Sequence, residues 1–112
     1  MAVQVSLDTS ADPPVTVNPQ VHNVNQGNQT VKWERANNET FTFASLSGLS
    51  NPPFGSPGVS DSEISITDNN TGTDAYYAYT IVVNYNGQQY STAPSQPRLT
   101  DQNAGGPFIH NK

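Results

Sequence analysis

Cysteine is absent from this 112-residue chain. That removes disulfides, thiolate nucleophiles and Cys-ligated zinc. Positive charge is scarce: four Lys and Arg stand against nine Asp and Glu, for a net charge of −5. Lys32, Arg35, Arg98 and Lys112 are scattered, so there is no basic stripe for a phosphate backbone or an anionic bilayer. The expectation is no nucleic-acid partner and no membrane partner. No apolar run approaches membrane-spanning length. Met1 to Val5 shows neither a basic n-region nor an apolar h-region. If Met1 is the natural start, a cytoplasmic protein is the default expectation. Nowhere do apolar residues recur at i, i+3, i+4 and i+7 over three turns, so no substantial helix is predicted.

Hydrophobic residues make up 33% of the chain and charged residues only 12%, leaving a sequence rich in Asn, Gln, Ser, Thr, Gly and Pro. Such a low apolar fraction alone would suit a disordered chain. The apolar residues are clustered at strand spacing, however. The densest cluster is Ala75–Tyr90. Tyr77, Tyr79, Ile81, Val83 and Tyr85 fall on one face of an extended chain; Tyr76, Ala78, Thr80, Val82 and Asn84 fall on the other. Asn86-Gly87 then offers two residues that tolerate positive φ, as a type I′ hairpin turn requires. The prediction is one long strand closed by a tight hairpin, its odd face packed on Trp33, Phe41 and Phe43.

Other stretches alternate in the same way. Val3, Val5 and Leu7 form one face of a first strand. Val15 to Val24 is extended but interrupted by Asn18-Pro19, which predicts an edge strand or a crossing between sheets. Asn25 to Gln29 reads as a turn, Thr30–Arg35 as a strand with Val31 and Trp33 inward, and Thr40–Leu46 as another with Phe41 and Phe43 inward. Ser47–Pro57 is an irregular loop with Leu49 and Phe54 as candidate anchors. Ser62–Thr67 alternates again, and Asp68–Asp74 reads as a polar turn. Arg98-Leu99-Thr100 is a candidate short extended piece. Residues 1–101 are expected to form one domain. Residues 102–112 read as a Gly/Asn-rich tail in which Phe108 and Ile109 could dock as a last strand. Short strands broken every 8–12 residues or so by Gly, Pro and Asn predict an all-β, mostly antiparallel sandwich of about seven or eight strands.

Few groups carry chemistry. His22 and His110 lie far apart in sequence and lack metal-ligand spacing; surface histidines are the plainer reading. No Gly-x-Ser-x-Gly elbow accompanies the serines, so a hydrolase site around His22 would need a Ser and an Asp brought in by the fold. Asp61 and Glu63 share a strand face and read as solvated edge charges rather than a glycosidase pair. Asp68 and Asp74 bracket an oxygen-rich segment that resembles a calcium loop in composition, without EF-hand spacing or a closing Glu. They are weak calcium candidates beside the plain reading of a turn. Three Asn-x-Ser/Thr sequons, at Asn28, Asn38 and Asn69, match the roughly 2.6 that chance supplies in a chain this rich in Asn, Ser and Thr. The aromatic residues could instead form a recognition platform, since Tyr joins a large apolar area to a polar tip. Tyr77, Tyr79 and Trp33 are expected in the core. That leaves Tyr76, Asn84 and Tyr90 as candidate binding residues.

The order Val15-Thr16-Val17-Asn18-Pro19, then Val24 to Trp33 with its Gly27 turn and Val31-Lys32-Trp33, is similar to the opening of small cupredoxin-like and immunoglobulin-like bacterial sandwiches. Ile64-Ser65-Ile66-Thr67-Asp68, Tyr77 to Val83, Tyr90-Ser91 and the ending Pro107-Phe108-Ile109-His110-Asn111-Lys112 resemble the uncharacterised bacterial DP-EP family. That family's Asp-Pro in its last strand stands here as Gly106-Pro107. The cupredoxin likeness implies a fold without copper, because the chain has no Cys and its only Met is Met1. The DP-EP likeness implies no activity. No cofactor is expected, and the expected role is non-enzymatic: protein binding or self-association. A carbohydrate- or calcium-dependent binding module is the first alternative and a His22-centred hydrolase the second.

Overall fold

The computed structural model describes residues 2–11, 14–36, 38–49, 53–72, 74–92 and 107–111. Among them there is no helix and there are eleven strands. They are β1 (Val3–Leu7), β2 (Val15–Asn18), β3 (Val21–Val24), β4 (Gly27–Arg35), β5 (Thr42–Ser47), β6 (Gly58–Val59), β7 (Glu63–Asn70), β8 (Ala75–Ala78), β9 (Thr80–Tyr85), β10 (Gln88–Ser91) and β11 (Phe108–Asn111). The fold is all-β, as the alternation predicts, and six of its eight strand pairs are antiparallel.

Three sheets result, with orders β2-β1-β4-β7-β6, β10-β9-β5 and β3-β11-β8. The five-stranded sheet makes one layer. The two three-stranded sheets make the other, joined where β8 runs into β9. Side chains bridge the layers at Trp33–Tyr79 and Phe54–Tyr77, both edge-to-face ring contacts. The shortest principal extent is 21 Å. That fits two sheets packed about 10 Å apart with side chains outside.

Strand count exceeds the expected seven or eight because long extended stretches change sheets partway. Asn18-Pro19, a cis peptide, lies between β2 on the edge of one layer and β3 on the edge of the other. The predicted single strand from Ala75 divides at Tyr79, whose N–H still donates to Pro107 O at 3.2 Å, one step past the Phe108↔Ala78 pair, before β9 turns to pair with β5 and β10. Two expected turns also prove to be strand in part. Gly27↔Asn70, Asn28↔Asn69 and Gln29↔Asp68 are ladder partners, so β4 starts earlier and β7 ends later than their polar side chains suggested. The outward residues of these ends face water, and polarity there does not oppose pairing. The Asn86-Gly87 turn has both residues at positive φ, 53° and 75°, and sets the Tyr85↔Gln88 register.

One core joins all three sheets. It contains Val3, Val5, Val31, Trp33, Phe41, Phe43, Phe54, Ile64, Ile66, Tyr79, Ile81, Val83 and Ile109. Phe54 is a buried anchor of the irregular segment and Leu49 packs partly against the core. The candidate piece at Arg98-Leu99-Thr100 and most of the 102–112 tail lie outside the described residues.

Candidate functional site

β11 lies between β3 and β8, parallel to the first and antiparallel to the second. Its register sorts side chains onto two faces. Ile109 aligns with His22 and Tyr77, and Asn111 with Val24 and Ala75; Ile109, Asn111 and Val24 are buried, so this face is inward. Phe108 aligns with Val21 and Ala78, and His110 with Asn23 and Tyr76, on the outward face. Tyr76 is 62% exposed and Val21 38%.

The outward rings are organised. Tyr76 and His110 stack with centroids 4.1 Å apart and planes within 3°. Phe108 meets Tyr76 edge-on at 6.5 Å. His110 Nδ1 lies 3.0 Å from Asn23 Oδ1 on β3, and Nε2 lies 2.5 Å from Asp74 Oδ1 just before β8. A carboxylate only accepts, so Nε2 carries the proton of that bond. Partners on both sides fix the imidazole plane and hold Tyr76 upright against it. Both ring nitrogens are engaged, which leaves none to activate a serine. The arrangement presents a cluster of three rings, Tyr76 stacked on His110 and Phe108 edge-on to Tyr76, with an amide and a carboxylate on the imidazole nitrogens.

Of the candidate binding residues, only Tyr76 belongs to this surface. Asn84 is exposed on β9, and Tyr90 on β10 pairs with Val83, packs on the core and donates from its hydroxyl to Gln88. Tyr90 thus shares the face of buried Val83, and Asn84 takes the opposite one, so the three do not form one contact patch. The calcium candidates are separated too. Asp68 is buried on β7 and bonded by Asn111, whereas Asp74 is exposed and bonded to His110. Asn111 and His110 point to opposite faces of β11, so the two carboxylates do not converge. Among the described residues no group of three or more His, Asp or Glu side chains is placed to hold a metal ion.

His22 is half-buried, and burial lowers its pKa. It lines a cleft with Asn23, Val24, Asn25, Gln29, Thr30 and Val31, and among these described residues there is neither a serine nor a carboxylate. His22 and His110, far apart in sequence, sit on adjacent strands but face opposite ways. Asp61 accepts from Phe43 N–H through its carbonyl, and Glu63 lies 3.7 Å from Lys32 on the outer surface.

Sequence reasoning missed His110 and Phe108 as surface partners of Tyr76. The period-two pattern of Phe108-Ile109-His110-Asn111 was a usable signal, since it places Phe108 and His110 together. No signal in the chain indicated which strands would flank them. No protein-family model matches this chain, and no curated protein matches it.

Proposed function

We propose that this chain is a non-enzymatic binding domain that engages a protein surface, a second copy of itself included, through the outward face of β3-β11-β8. The observation that carries the proposal is the stacked Tyr76–His110 pair, flanked by Phe108 and exposed Val21. An ordered aromatic side chain has little rotamer entropy left to lose when a partner covers it. Membership of the DP-EP family remains part of the proposal, resting on the short motifs quoted above, and supplies no activity.

The first test is sedimentation velocity over a wide concentration range, with Tyr76→Ser beside the wild type. Association that weakens tenfold or more in the variant is the expected result. A wild-type chain that stays monomeric removes self-association, and unchanged association in Tyr76→Ser removes this face. A second reading, a carbohydrate-binding module, is favoured by one observation: exposed Tyr76 stacks on an imidazole whose two nitrogens meet Asn23 and Asp74, so a ring face and hydrogen-bonding groups belong to one cluster. A glycan array blank for the wild type removes it.

A further inference from the structure

The inward face of β11 meets β7 through a carboxyl and an amide that together hold one acceptor too many on each side. Asn111 Nδ2 donates to Asp68 Oδ1 at 3.0 Å. Asp68 Oδ2 and Asn111 Oδ1 are both buried without a hydrogen-bond partner among the described residues. The two side chains are 0% and 2% exposed. An ionised carboxylate is acceptor-only and an amide oxygen is an acceptor, so the orphaned atoms cannot satisfy one another as they stand. Buried unpaired acceptors are costly, and a buried unpaired carboxylate more so.

One proton resolves both. With hydrogen on Oδ2, the acid O–H donates to Asn111 Oδ1 while Asn111 Nδ2 donates to Asp68 Oδ1, closing a ring of two reciprocal hydrogen bonds. We propose that Asp68 is held in the folded protein as the neutral carboxylic acid, at pH values where an ordinary Asp is ionised, and that this shared proton fastens β11 to β7. The proton is taken up from water as the side chain is buried.

Among the described residues nothing else bonds the two orphaned oxygens. On the inward-turned side of each strand, β7 adds Ile66 and Asn70, β4 adds Val31 and, aligned with Asp68 itself, the exposed Gln29, β11 adds Ile109, and β3 and β8 add the titratable groups His22 and Tyr77. Phe54 bridges to Asp68 from the irregular segment. Asn70 Nδ2 is committed to Val24 O at 2.9 Å. His22 is biased toward its neutral form by burial. Lys32 faces outward toward Glu63, and Arg35 donates to Phe41 O. Burial also raises the pKa of Asp68, consistent with the same proton. A folded-state pKa above the unfolded one stabilises the fold fully below about 3.9, the unfolded value, and that contribution is lost as pH rises through the folded pKa.

The test uses the full chain. NMR of the Asp68 carboxyl carbon is expected to show the protonated acid at pH 6, a condition about two units above an ordinary Asp midpoint. Urea denaturation of Asp68→Asn is the second measurement. An amide there keeps both hydrogen bonds, so the variant is expected to match or exceed the wild type at pH 6, with the gap widening as pH rises. An ionised Asp68 signal at pH 6 would overturn the proposal. So would an Asp68→Asn variant clearly less stable than wild type at pH 6. A rise in melting temperature with Ca²⁺, lost in Asp68→Asn, would assign the orphaned oxygens to a cation instead.

Discussion

Tyr76 and Tyr79 are three residues apart and have opposite fates. Tyr79 is buried against Trp33, ring edge to face at 5.2 Å, and its hydroxyl accepts from Trp33 Nε1 at 2.9 Å. Burial pushes its pKa up to about 12, with the Trp33 bond opposing. Tyr79→Phe keeps the ring but leaves a buried indole N–H without its acceptor. It is expected to destabilise the protein by about 1–3 kcal/mol in urea denaturation followed by Trp33 fluorescence. Stability from this phenol is complete below about 10, the unfolded tyrosine value, and is lost as pH rises through the folded value. In an absorbance titration Tyr79 is expected to ionise last, together with unfolding. Tyr76→Phe, at an exposed position, is expected to change stability by less than about 0.5 kcal/mol. The contrast was legible in the odd and even positions of one extended stretch, because period two alone assigns the faces. The stacking of Tyr76 on His110 was not, because it depends on a strand more than thirty residues away.

At the scale of elements, β11 is the decisive piece. Four residues complete a sheet, and Ile109 is fully buried within the core. Ile109→Ala is expected to cost about 2–5 kcal/mol, since truncation leaves a cavity at the junction of the two layers. Thermal unfolding by circular dichroism would read it directly. β8, on the other side of β11, is approached closely by Gly48. A Cβ there would stand 2.8 Å from Ala78 O, and its φ is +95°. Gly48→Ala is therefore expected to lose more than about 1 kcal/mol, by strain and clash together. The glycine's place in a Gly/Pro-rich loop marked a turn, but the neighbouring carbonyl was invisible from its local sequence.

The whole molecule carries nine acidic and four basic residues. Self-repulsion of this excess negative charge is expected to weaken as salt is added. Melting temperature should rise modestly between low and physiological ionic strength, and calorimetry would detect the slope. A flat or falling slope would mean that attractive surface pairs such as Lys32–Glu63 dominate. The single core shared by all three sheets predicts one cooperative transition in the same scans.

Local pattern determined the fold class, the inward faces of β1, β4, β7 and β9, and the Asn86-Gly87 hairpin, because side-chain alternation and turn chemistry act within a few residues. Tertiary structure alone decided what closes the sandwich. β11 pairs with β3, aligning Ile109 with His22, and with β8, aligning His110 with Tyr76. That pairing turns two unrelated histidines to opposite faces, makes the aromatic surface, and seals Asp68 beneath Asn111. The same Asp68 that reads as a loop carboxylate in the sequence becomes a buried acid, because solvation is a property of the assembled layers and not of the residue.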